Sequence, residues 1–114
     1  MEIDNSSAKR RLAMRLPFEF IEGVKVNLGS TITVKITLMA KNVDRCILSL
    51  DYDKKVFESK IHGGDQIEFT QENETKKINI LLIPHLRTVK PVWISVMVTS
   101  DTLAQVGGFF VQVV

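Results

Sequence analysis

No run of apolar residues in this chain approaches the ~20 needed to cross a bilayer as a helix. The longest spans only Ile80 to Pro84, so membrane insertion is not expected. Cysteine is almost absent too. Cys46 is alone, which excludes an internal disulfide and fits either a reducing compartment or an extracellular fold that does without one. There are two histidines, His62 and His85, and neither shows a metal-ligand spacing such as HxH or HExxH. Charge of one sign is not in excess. Fifteen basic residues face thirteen acidic ones, a net +2, too even a balance to predict nucleic-acid or membrane steering. Aromatics are few, with six Phe, one Tyr and one Trp, which leaves no obvious platform for stacking bases. Nucleic acid is therefore not an expected partner.

What remains is the composition of an ordinary globule, 45% hydrophobic and 25% charged. A chain of 114 residues has the size of one domain and buries roughly two-thirds of its unfolded surface. It needs no metal or cofactor to hold a core, and none is expected.

The dominant pattern is alternation, the period of a strand. Leu12, Met14, Leu16, Phe18 and Phe20 recur every second residue. Pro17 lies among them and cannot donate a ladder hydrogen bond, so this segment reads as an edge strand or one that bends and switches sheets. Ile32, Val34, Ile36, Leu38 and Ala40 alternate with Thr31, Thr33, Lys35, Thr37 and Met39. Cys46, Leu48, Leu50 and Tyr52 then point one way, with Arg45, Ser49 and Asp51 opposite. Shorter strands are expected over 56–61 and 66–71, and a longer one over 76–83. Val92, Ile94, Val96 and Val98 alternate with Trp93, Ser95, Met97 and Thr99. Gly63-Gly64 and Gly107-Gly108 read as turns with positive φ, the second pair breaking the chain before a last strand at 109–114. Asn73-Glu74 reads as another turn.

Seven to eight short strands at this spacing, with no room for crossover helices, predict an all-β fold. The expected form is an immunoglobulin-like antiparallel β-sandwich over residues 12–114, with 1–11 as a flexible tail. The lone Cys46 rules out the disulfide-pinned variety.

Few constellations could carry chemistry. Cys46 reads as a small buried hydrophobe. Asp51 and Asp53, at i and i+2, are weak candidates for Ca²⁺, competing with a solvated turn balanced by Lys54 and Lys55. Lys9-Arg10-Arg11 is a basic cluster in the tail. Asn5-Ser6-Ser7 and Asn73-Glu74-Thr75 match the glycosylation acceptor pattern, which counts only in a secreted chain. No catalytic group stands out, and no enzyme is expected.

The clearest hints concern surface. Trp93 sits on the parity opposite the aliphatic residues of its strand, with Met97 on its face and Met39, from another strand, a candidate to join them. Either it is exposed, as part of a partner-binding patch, or a local bulge turns it inward. The last strand is apolar on both sides, Phe109, Val111 and Val113 against Phe110 and Val114. Left as a free edge it would be an aggregation hazard. Trp93, Met97, Phe109, Phe110 and Val111 are thus the expected partner-binding residues.

The stretch 29–38, GSTITVKITL, followed by Leu48-Ser-Leu-Asp-Tyr-Asp53-Lys-Lys-Val-Phe57-Glu58, resembles cohesin-type and related bacterial immunoglobulin-like domains over about a quarter of the chain. That resemblance implies a non-catalytic adhesion or assembly module. The expected function is protein–protein interaction through a sheet edge or apolar patch, with another protein or a second copy as partner. A carbohydrate-binding sandwich is the alternative. The expected compartment is cytoplasmic for a complete chain and extracellular for a domain excised from a longer one.

Overall fold

A computed structural model describes residues 9–16, 24–101 and 103–114. It holds nine strands and no helix among those residues: β1 (Arg11–Arg15), β2 (Val24–Val26), β3 (Ile32–Lys41), β4 (Arg45–Asp51), β5 (Phe57–Ile61), β6 (Gln66–Glu68), β7 (Asn73–Pro84), β8 (Val92–Ser100) and β9 (Leu103–Val113). Four form one sheet in the order β1-β3-β7-β5, and five form the other in the order β2-β9-β8-β4-β6. The first order and the run β9-β8-β4 reproduce the two sheets of an immunoglobulin constant-type sandwich.

The count exceeds the expected seven to eight because the N-terminal segment is divided between sheets. β1 pairs antiparallel with β3, whereas β2 pairs parallel with β9. The sandwich is thus not wholly antiparallel. Pro17, Phe18 and Phe20, in the link between these strands, lie outside the described residues. β1 opens at Arg11, before the expected domain boundary at Leu12, with Arg11 opposite Lys41. Arg10 is also tied down. It forms an ion pair with Asp101 and donates from Nε to the Asn42 carbonyl (3.3 Å).

The core lies between the sheets and follows the alternation. Val34, Ile36 and Leu38 of β3 meet Leu48 of β4 and Ile94, Val96 and Val98 of β8, all fully buried. At about 25 cal/mol per Å² of apolar surface, each such side chain contributes roughly 1.5–3 kcal/mol. Cys46 is buried among them, and desolvation pushes its thiol up to about 11.

Two turn readings need correction. Asn73 and Glu74 belong to β7, which pairs with β3 from Lys41↔Asn73 onward. The turn lies just before them, where the Glu74 carboxylate accepts the Thr70 N–H (2.8 Å) and the Gln71 N–H (3.2 Å). Those bonds, with Lys76 nearby, hold its pKa below the ordinary value. Gly63 and Gly64 do have positive φ, 87° and 91°, but Gly107 and Gly108 do not. β9 runs straight through them, for reasons that lie on both of its faces.

Candidate functional site

β8 and β9 are the best-paired strands of the five-stranded sheet, in register from Val92↔Val111 to Ser100↔Leu103. The register puts Trp93 opposite Phe110 and Met97 opposite Val106. Ile94, Val96 and Val98 face the core, so period-two alternation sends Trp93 and Met97 outward. No bulge intervenes. Trp93 is 48% exposed, Phe110 36% and Val106 66%. Met97 and, from β4, Ile47 are exposed on the same face.

The two rings meet edge to face, centroids 4.8 Å apart at 64°, a geometry aromatic pairs favour. Gly108 explains how the indole lies down. A Cβ at that position would come within 2.3 Å of Trp93 Cζ2 and 2.5 Å of the Ile94 carbonyl oxygen. Only glycine lets the ring rest on the strand, an aromatic covering a glycine across a sheet. Gly107 points the other way, where a Cβ would meet Leu16 Cδ1 at 3.1 Å and Met14 Cε at 3.4 Å. β1 closes over the sandwich at that point.

Three sequence expectations change here. Phe109 and Val111 were expected on the partner-binding surface, but they are 1% and 0% exposed. Both parities of β9 are apolar, and these two share the inward one with Val113. Met39 does not join Trp93, because β3 belongs to the other sheet and Met39 faces the opposite side of the sandwich. Nor is β9 a free edge throughout. β2 pairs with Val111–Val113, and the Val114 N–H donates to the Val26 carbonyl (2.8 Å) while the Leu28 N–H donates to that of Val114 (2.9 Å). Among the described residues, no strand pairs with Leu103–Phe110 on that side.

The remaining candidates have local work. Asp53 accepts the Lys55 N–H on Oδ1 (2.9 Å), and its carbonyl accepts from Val56 and Phe57. This is an aspartate-built turn. Among the described residues no three His, Cys, Asp or Glu side chains gather as a metal site. The His62 N–H and His85 N–H are both bound to backbone carbonyls, those of Asn79 and Val56. Tyr52 donates its hydroxyl to Ser59 (2.7 Å) and packs edge-on against the buried Phe57.

No family model matches the sequence, and no curated protein matches it significantly. The likeness to cohesin-type domains rests on the residues quoted above. Solved structures that align with this chain include a family 123 glycoside hydrolase from Clostridium perfringens, at 11% identity and TM-score 0.48 over 92% of this chain. This chain spans about a quarter of that enzyme, 27%. PapD-like domain 7 of human CEP192 aligns over 99% of this chain and 88% of its own, at 12% identity and TM-score 0.40. The yeast GGA1 GAE domain aligns over 95% and 94%, at 11% identity and TM-score 0.30. At these levels none lends this chain a function.

Proposed function

We propose that this chain is a non-catalytic interaction module that docks a protein through the outer face of its five-stranded sheet. The observation that carries this reading is the exposed Trp93, laid over Gly108 and braced by Phe110. Around it Met97, Val106 and Ile47 continue an apolar surface across three strands. Interfaces draw most of their affinity from such aromatic anchors, rigid before the partner arrives. The partner is a protein, either a second copy of the chain or a different one. The non-catalytic reading is supported by Cys46, whose thiol is buried and held protonated at neutral pH.

A carbohydrate-binding reading has less behind it. Sugar rings stack on flat, coplanar aromatics, whereas Trp93 and Phe110 meet at 64° and Tyr52 is committed to Ser59 and Phe57.

Trp93→Ala tests the proposal. Light scattering over a concentration series reads self-association, and retention of proteins on the immobilised chain reads a different partner. Binding should be lost, while unfolding in urea shows a cost below about 2 kcal/mol. A loss of the roughly 3–5 kcal/mol that truncating a core Trp costs would mean that the ring serves the fold, and would overturn the docking face.

A further inference from the structure

The opposite outer surface, that of the four-stranded sheet, has a different chemistry. Its outward residues include Arg11 and Arg15 of β1, Lys35 and Lys41 of β3, Lys60 of β5 and Lys77 of β7. Among the described residues, Glu58 is the one acidic side chain that the alternation sends to the same face. None of the six cations has an ion-pair partner among the described residues, where the bridges join Arg10 to Asp101 and Lys76 to Glu74. The chain's net charge of +2 therefore conceals a sheet face with an excess of five positive charges, six minus one.

The arrangement goes against the stability of the sheet. Arg11 and Lys41 stand directly opposite each other in register, where like charges are destabilising. Two shallow depressions open on this surface. One, of about 520 Å³, is lined by residues including Arg11, Lys41, Asn73, Thr75 and Glu74, whose carboxylate is already taken up by the Thr70 and Gln71 N–H groups and by Lys76. The other, of about 270 Å³, is lined by Thr33, Lys60, His62, Asn79 and Leu81. Each joins a cation to a hydroxyl and an amide, the donors that a phosphate oxygen accepts from.

We infer that this face docks on the anionic phosphate headgroups of a phospholipid bilayer. Its shape and composition favour that occupant. From the level of Lys41 to that of Lys60 the cations run about 27 Å along the strands, and four strands span about 14 Å across. Among the described residues the outward ones include no aromatic, so they offer neither the stacking groups of a single-strand binder nor the anchors of a protein interface. Among the described residues it presents no helix or protruding ribbon to enter a duplex groove. A bilayer asks for neither. Its headgroups diffuse to meet fixed cations, and each Lys or Arg near the surface adds to the attraction. The contact is peripheral, with nothing inserted, and leaves the Trp93 face pointing away from the membrane.

Vesicles of phosphatidylcholine and phosphatidylserine in equal parts, against phosphatidylcholine alone, provide the test. The chain should sediment with the anionic vesicles at low salt and be released as salt rises. The double variant Lys35→Gln, Lys77→Gln should bind about 25-fold more weakly, at about fivefold per charge. Trp93 is the one tryptophan, so its emission reports orientation. It should not shift when vesicles bind, and Trp93→Ala should bind them as well as the wild type does. That keeps this result separate from the protein-docking test. Absence of binding at low salt, a blue shift of Trp93, or an unaffected double variant would overturn the inference. So would tighter binding to a single-stranded oligonucleotide or to polyglutamate at equal ionic strength. If the double variant misfolds, the salt titration and the emission of the unaltered chain still decide the matter.

Discussion

Compare β3 with β8. Both are long central strands, both bury aliphatic residues at every second position, and both show the alternate set to solvent. β3 shows Thr33, Lys35, Thr37, Met39 and Lys41, whereas β8 shows Trp93, Ser95, Met97 and Thr99. Their neighbours extend the contrast. Around β3 lie Arg11, Arg15, Lys60 and Lys77, and around β8 lie Phe110, Val106 and Ile47. A sandwich needs only its inner faces to fold, so the outer two are free to differ. One surface is shaped by aromatic packing, short-ranged and dry. The other is shaped by unpaired charge, long-ranged and sensitive to salt.

The sharpest break of this comparison lies at neighbouring residues. Phe109→Ala removes a ring from the core beneath the apolar face and should cost about 3–5 kcal/mol in urea unfolding. Phe110→Ala, one residue on and facing out, should cost about 1 kcal/mol or less while weakening partner binding. Equal costs would mean that the outer ring supports the fold as much as the inner one.

Gly108→Val comes next. The new side chain meets both the indole and the Ile94 carbonyl, so about 2 kcal/mol should be lost and Trp93 emission should shift red as the ring lifts. Thr37→Val, the matching change on the cationic face, should stay within about 0.5 kcal/mol.

The interior titrates as neither face does. Cys46 has its pKa raised from 9.0 to about 11 in the folded chain. Its contribution is therefore fully present below pH 9.0 and lost as pH rises through about 11. Near pH 10 the loss should be about 1 kcal/mol, and Cys46→Val should remove that part of the alkaline decline in thermal midpoint.

The smallest effect belongs to the cationic face. Lys41→Glu turns the like-charged pair with Arg11 into an opposite pair and should stabilise by about 0.5 kcal/mol, at some cost to vesicle binding.

Alternation made much of this legible. The strands around Ile32–Ala40 and Val92–Thr99 and the inward Cys46 follow from a period of two, whereas the outward Trp93 follows only once the unbroken β8–β9 register excludes a bulge. Parity has limits that particular residues expose. It says which side of its own strand Met39 occupies, but not in which sheet the strand lies. In β9 both parities are apolar, so nothing local distinguishes Phe109 from Phe110. Gly107 and Gly108 read as a break because a glycine pair usually marks one. Their actual cause, the indole on one side and Leu16 and Met14 on the other, comes from distant parts of the chain. The six cations are spread from Arg11 to Lys77 and vanish into a balanced total until the register sets them side by side.

The division of the N-terminal segment between two sheets has a mechanical side. β2 runs parallel to β9, and the pairs Val24↔Val111, Lys25↔Gln112 and Val26↔Val113 join them. Tension drawing the segment before β2 and the end of β9 apart pulls these strands lengthwise past each other. The hydrogen bonds between them are then loaded together in shear and cannot open one at a time like a zip. Few as they are, they form a clamp that should resist a stretching force better than thermal stability alone would suggest.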